Sequence, residues 1–170
     1  MNVAAEALAG LAVLLNFVGY RQPTVNRYRA VSALALMCLG SHFLLIDAMA
    51  AGVACWLAAL RNLVALRTQH VSVVWGFVAL NLGFFAYEWW WLAHGPLIFV
   101  AYASALIFTV GSIVLTQADA IRRWFILAEG LGLVYAVAVG SVFGTVFNLS
   151  NLASIFIKLY QQRQAHKKGG

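Results

Sequence analysis

The chain of 170 residues is 64% hydrophobic and only 9% charged, which leaves too little polar surface to cover a water-soluble globule of this size. This composition excludes a soluble domain and predicts a membrane protein. The net charge of +6 does not indicate nucleic-acid binding, because the basic residues form short clusters between apolar runs.

Seven apolar runs are long enough to cross a bilayer, for which about 17 to 20 helical residues suffice. The sequence therefore predicts an all-α membrane protein with seven transmembrane helices in one membrane domain, residues 1–170. The first run begins with an acidic rather than a basic segment, so it is interpreted as a membrane helix and not as a signal peptide. The predicted helices cover approximately residues 4–20, 29–46, 49–67, 71–90, 97–116, 122–140 and 142–160.

The basic residues predict the orientation, because Lys and Arg are retained on the cytoplasmic side. With seven spans, all of these basic clusters fall on one side. The opposite joints contain no Lys or Arg; they hold Asp47, Glu88 and a Trp89–Trp91 cluster typical of a membrane interface. The N-terminus is expected outside and the C-terminus inside. The basic residues are Arg21, Arg27, Arg29, Arg67, Arg122, Arg123, Arg163, Lys167 and Lys168.

An internal repeat is indicated when the second half is aligned with the first at an offset of 92 residues. Both halves place a basic joint, an apolar hairpin and a basic stretch in the same order. We expect two parallel three-helix repeats, residues 1–68 and 96–162, joined by an inverting linker helix over 71–91. Parallel repeats occur in transporters whose substrate site lies between them near the midplane. The aligned pairs include Gly40 with Gly132 and Gly52 with Gly144.

The seventh helix carries a polar face that runs through the membrane. Asn148 and Asn151 near its middle can donate and accept hydrogen bonds, which suits a small polar solute. The same residue types also hold membrane helices together, so a purely structural interpretation stays open. Asn16, Asn62 and Tyr102 complete the polar side chains expected to contact a solute. The face consists of Ser141, Gly144, Asn148, Asn151, Ser154 and Lys158.

Arg61 and Glu129 are charged residues near the middle of two predicted helices. At about 1.5 Å per residue, Arg61 and Glu129 reach similar depths, so they can compensate each other's desolvation and mark a solute or ion path. Alternatively, Arg61 extends its side chain to the cytoplasmic surface. His42 can couple a proton to transport or act as a hydrogen-bonded packing residue. Trp56 can stack on a ring-shaped solute or simply pack against other helices.

The stretch "GSHFLLIDAMAAGVACWLAALRNLVALRT", with the preceding "NRYRAVSALALMCL", resembles the bacterial inner-membrane YgjV family. That family resemblance implies a multi-pass protein of the bacterial inner membrane and brings no established substrate with it. The arrangement of three, one and three helices is also similar to the SWEET and PQ-loop transporters, although the chain has no Pro-Gln pair. The matching positions are Gly40, His42, Phe43, Ala51, Gly52, Arg61 and Arg67.

These features favour a transporter or facilitator of a small polar solute, with a midplane cavity between the repeats. The alternative is a non-transporting scaffold, or a lipid-binding or assembly protein. Neither a catalytic constellation nor a phosphate loop occurs in the sequence, so no enzyme activity is expected. Cys38 and Cys55 lie in apolar segments and indicate neither a disulfide nor a metal site, and no cofactor is expected. The expected partners are the lipid bilayer and a small polar solute, and a homodimer is permitted.

Overall fold

Residues 3–20, 22, 24–68, 70–114 and 118–168 are described by a computed structural model of the chain. Within these residues the protein forms seven α-helices and no β-strand, which confirms the all-α prediction. Predicted positions such as Arg21, Leu115 and Thr116 lie outside the described residues. The helices are α1 (Val3–Tyr20), α2 (Val25–Leu45), α3 (Met49–Val64), α4 (Val71–Trp90), α5 (Leu97–Val114), α6 (Ala118–Ala138) and α7 (Val142–Lys168).

Three of the helices are long and apolar enough to cross a membrane: the segments Asn26–Leu45, Val71–Trp90 and Val142–Gln161. Three further apolar stretches in the described residues are shorter than 18 residues. They are Val3–Gly19, Met49–Val64 and Leu97–Gly111. Helix α6 has charged residues at its start and Glu129 near its middle, and it is not among these candidate spans.

Several helices extend beyond their predicted limits, because the prediction counted only the apolar part of each helix. Helix α2 begins at Val25 instead of residue 29, since the Thr24 hydroxyl accepts a hydrogen bond from the Arg27 backbone N–H at 3.3 Å and caps the helix. Helix α7 continues to Lys168, past the predicted residue 160. Conversely, α3 ends at Val64 and the residues up to Arg67 form turns.

The helices pack as two triplets, which we call the first triplet (α1–α3) and the second triplet (α5–α7). The middle helix of each triplet contacts the other two members: α2 packs on α1 and α3, and α6 on α5 and α7. The triplets contact each other through α1 with α7 and through α3 with α5, while α4 packs on α3 and α5. If α1, α2 and α3 are exchanged with α5, α6 and α7 in that order, the contact of α1 with α7 becomes the contact of α5 with α3.

The turns between α2 and α3 and between α6 and α7 share four equivalent backbone hydrogen bonds. Asp47 and Gly140 occupy equivalent places in these turns, and both adopt left-handed backbone conformations, with φ of 59° and 72°. Asp tolerates this conformation and Gly adopts it freely. The equivalent bonds, at 2.9 Å in each turn, run from Ala48 N–H to Phe43 O and from Ser141 N–H to Ala136 O. These positions are 93 residues apart, one more than the offset of the sequence alignment.

Candidate functional site

A chain of buried polar side chains crosses from the first triplet to the second. Asn16 on α1 donates its Nδ2–H to the Oδ1 of Asn151 on α7 at 2.7 Å. The Nδ2 of Asn151 in turn donates to the Oε1 of Glu129 on α6 at 2.9 Å. The three residues are 7%, 4% and 6% exposed, so water does not replace these bonds. The structure thus joins three of the residues singled out from the sequence in one polar network.

Arg61 lies at the other contact between the triplets. Its Nη1 donates to the Thr109 hydroxyl on α5 at 3.0 Å. Among the described residues no ion pair within 4.0 Å joins Arg61 to Glu129, whose carboxylate is bonded to Asn151 instead. The two charged side chains therefore lie at different contacts between helices, and each is hydrogen-bonded to a neutral polar residue.

Three further predicted residues take part in close packing between or within helices. The Nδ2 of Asn148 donates to Gly144 O of its own helix at 2.7 Å, and its Oδ1 lies against Gly132 on α6. A methyl group added at Gly132 would stand 2.6 Å from that oxygen, so glycine is needed for this approach. Asn62 on α3 donates to the Ser32 hydroxyl on α2 at 3.3 Å. Trp56 packs against Gly40 between α2 and α3.

His42 is 1% exposed and has hydrogen-bond partners at both ring nitrogens. Nδ1 lies 2.9 Å from Ala5 O on α1, and Nε2 lies 2.7 Å from the Ser141 hydroxyl at the start of α7. Because a carbonyl oxygen only accepts, Nδ1 carries a proton, and in the neutral ring Nε2 accepts from Ser141. His42 thus connects α1, α2 and the start of α7.

A second polar cluster lies near the end of α4 and was not singled out as a site from the sequence. Glu88 is fully buried, its Oε1 accepts a hydrogen bond from the Tyr102 hydroxyl at 2.5 Å, and its Oε2 lies 3.0 Å from His94 Nδ1. Tyr102, predicted to contact a solute, is 2% exposed and instead holds this carboxylate in place. In the sequence, this cluster is indicated only by the position of Glu88 next to the tryptophan cluster. That position predicts that Glu88 belongs to an outer joint between helices.

This carboxylate borders a cavity of about 220 Å³, which we call the Glu88 cavity. Its wall combines the turn after α2, the loop between α4 and α5, and the end of α6, so both triplets and α4 contribute. Asn148, Asn151 and Glu129, predicted to line a midplane cavity, are not part of its wall. The lining residues are Ile46, Asp47, Ala48, Met49, Ala50, Glu88, His94, Gly95, Leu97, Ile98, Tyr135 and Val139.

Comparison with protein families identifies the chain. The family Imp-YgjV, described as bacterial inner membrane protein, matches residues 3–166. The chain belongs to this family. It is therefore a protein of the bacterial inner membrane, in agreement with its apolar helices.

No curated protein and no solved structure matches the chain. The comparisons thus give no support to the topological similarity with SWEET transporters, and the family description names neither a substrate nor a reaction. Within the described residues, no group of three or more His, Cys, Asp or Glu side chains is placed to hold a metal ion. What this Imp-YgjV member does must therefore be argued from its polar network and its cavity.

Proposed function

We propose that the chain is a transporter or facilitator of a small polar solute and performs no enzymatic reaction. The two triplets act as parallel repeats that move against each other, and α4 is the inverting linker. All seven helices cross the inner membrane, with the N-terminus outside and the C-terminus inside. In this orientation the Glu88 cavity faces the periplasm.

The equivalence of the two triplets supports this arrangement. An offset of 93 residues superimposes Val25–Leu45 on Ala118–Ala138 and brings the start of α3 onto the start of α7. The same offset relates four backbone hydrogen bonds around Asp47 to four around Gly140. The contacts of α1 with α7 and of α3 with α5 are those that a two-fold axis along the membrane normal would exchange.

A single observation carries the functional proposal: both triplets and α4 flank a cavity at one end of the bundle, where the His42–Ser141 bond also joins the triplets, and two further polar bonds between the triplets lie toward the other end. Asn16 and Thr109 occupy equivalent positions at the offset of 93 residues. Asn16 is hydrogen-bonded to Asn151 on α7, the last helix of the second triplet, and Thr109 is hydrogen-bonded to Arg61 on α3, the last helix of the first triplet. Both bonds lie toward the end of the bundle opposite the Glu88 cavity. This asymmetry is expected of a transporter that is open outward and closed inward.

The second candidate function is a non-transporting scaffold. This function is favoured because Asn148, Asn62 and His42 form hydrogen bonds between or within helices. None of the three is among the residues that line the Glu88 cavity. In that case the polar groups only fix the helices relative to one another. A flux measurement separates the two functions.

The test uses purified protein in proteoliposomes incubated with a defined mixture of amines, amino acids, sugars and nucleosides. Trapped solutes are quantified by mass spectrometry against protein-free vesicles. We expect at least one solute to enter only the protein-containing vesicles. Equal contents across the whole mixture would contradict transport and favour the scaffold.

A locking experiment then tests the motion of the triplets. With Cys38 and Cys55 replaced by Ala, the pair Asn16→Cys and Asn151→Cys is bridged by a short bifunctional methanethiosulfonate. We expect the bridge to stop uptake and reduction to restore it, because the bridge holds α1 on α7. Each single cysteine variant is the matched control and should be insensitive to the reagent. Uptake that continues through the bridged protein would contradict movement at this contact.

A further inference from the structure

We infer that the Glu88 cavity is the entry site for a small organic cation, an ammonium or amidinium group attached to a short apolar body. The inference rests on the proposed transport function and narrows its substrate class. It follows from the charge, the shape and the wall chemistry of the cavity.

The charge of the wall is negative. Among the described residues, its acidic and basic side chains are Asp47, Glu88 and His94, and its lining includes neither Lys nor Arg. An anionic solute would therefore be repelled by two carboxylates, and a neutral solute would bring no countercharge to Asp47. A cation is the class of solute that the electrostatics favour.

The carboxylate of Glu88 is held in position to accept further hydrogen bonds. Tyr102 fixes Oε1, and His94 contacts Oε2 from a loop in which Ala93 has a φ of 50°. Glu88 is fully buried with His94 in place, so an N–H donor of a solute reaches Oε2 by taking the place of the histidine there. The His94 side chain is 37% exposed, which gives its ring room to move aside.

The rest of the wall is apolar and suits an organic rather than a bare inorganic cation. Ile46, Met49 and Val139 are among its apolar side chains, and the Tyr135 ring can face a cation. The volume of about 220 Å³ is several times the share of one water molecule in the liquid, about 30 Å³. The described residues offer no group of three acidic, His or Cys side chains that would hold a metal ion in place.

The experiment is a calorimetric titration of the purified full-length protein with three probes of similar shape: n-butylammonium, butan-1-ol and butyrate. We expect saturable binding of n-butylammonium alone. Equal binding of all three probes, or no binding of the cation, would overturn the inference. The titration needs no flux, so cation binding without uptake in vesicles would contradict only transport, and uptake without cation binding would contradict only this site.

Variants locate the binding site. Glu88→Gln should weaken n-butylammonium binding at least about tenfold, because a buried charge partner is lost. Asp47→Asn should weaken it about two- to fivefold, as expected for an exposed charge. Because Asn also adopts the left-handed conformation of this turn, Asp47→Asn keeps the test valid if Glu88→Gln does not fold. Glu6→Gln, a carboxylate outside the cavity wall, is the matched control and should bind like the parent. Unchanged affinity in both cavity variants would contradict the assignment.

Discussion

Removing the amide of Asn151 should destabilise the protein more than removing any other buried asparagine amide. Asn151→Ala deletes the bonds to Asn16 and Glu129 together. Hydrogen bonds between membrane helices contribute about 0.6 kcal/mol on average and up to about 1.7 kcal/mol. Leaving the buried Glu129 carboxylate without this donor adds about 1 to 3 kcal/mol. At the average contribution, the two bonds and this penalty together give an expected loss in the free energy of unfolding of about 2 to 4 kcal/mol.

The measurement is reversible unfolding in mixed detergent and dodecyl sulfate micelles, followed by circular dichroism. Asn81→Ala is the matched control: Asn81 is 2% exposed, its Nδ2 donates only to Phe77 O of its own helix at 2.8 Å, and its Oδ1 has no partner among the described residues. We expect this variant to lose about 1 kcal/mol or less, because the substitution also removes an unsatisfied buried oxygen.

A double-mutant cycle tests whether the network acts as a unit. Asn16→Ala alone should cost about 1 kcal/mol, and in combination with Asn151→Ala the losses should fall short of additivity by about 0.5 to 1.5 kcal/mol. The reasoning would be refuted by two results: additivity within about 0.3 kcal/mol, or equal losses in Asn151→Ala and Asn81→Ala.

Two further predictions concern packing and topology. Gly132→Ala should lower the free energy of unfolding by about 1 to 2 kcal/mol, since its methyl group would stand 2.6 Å from Asn148 Oδ1. The control is Gly130→Ala on the same helix, whose methyl group meets nothing within 4 Å and which should be neutral or stabilising by up to about 1 kcal/mol. Equal losses of the two variants in unfolding experiments would contradict this prediction. In a background without native cysteines, Asp47→Cys should react with a membrane-impermeant maleimide on intact spheroplasts and Thr68→Cys only after lysis; the reverse pattern would exclude the proposed orientation.

The helical architecture could be predicted from the sequence because hydropathy over about 20 residues reports a property of each segment alone. The ends of the helices could not, since they depend on polar residues beyond the apolar span. Thr24 extends α2 by one turn through its cap, and the basic tail continues α7 to Lys168. Neither extension changes the hydropathy pattern that the prediction used.

The candidate site was only partly accessible from sequence. Buried amides and a buried carboxylate are costly in a membrane without partners, which is why Asn16, Asn151 and Glu129 could be singled out and why they meet. Their pairing could not be foreseen, because it depends on how each helix is rotated about its axis. Arg61 and Glu129 have similar depths, but Arg61 faces Thr109 on α5, while Glu129 faces α7.

By itself, the sequence determined that this chain is a helical membrane protein with polar side chains inside it, because those properties follow from composition and order along the chain. The tertiary structure alone decided which polar groups meet. It placed a cavity at the end of α4, where Glu88, Tyr102 and His94 come together. The physical reason is that hydropathy fixes how deep a residue lies, whereas contacts depend on helix rotation and on loop geometry.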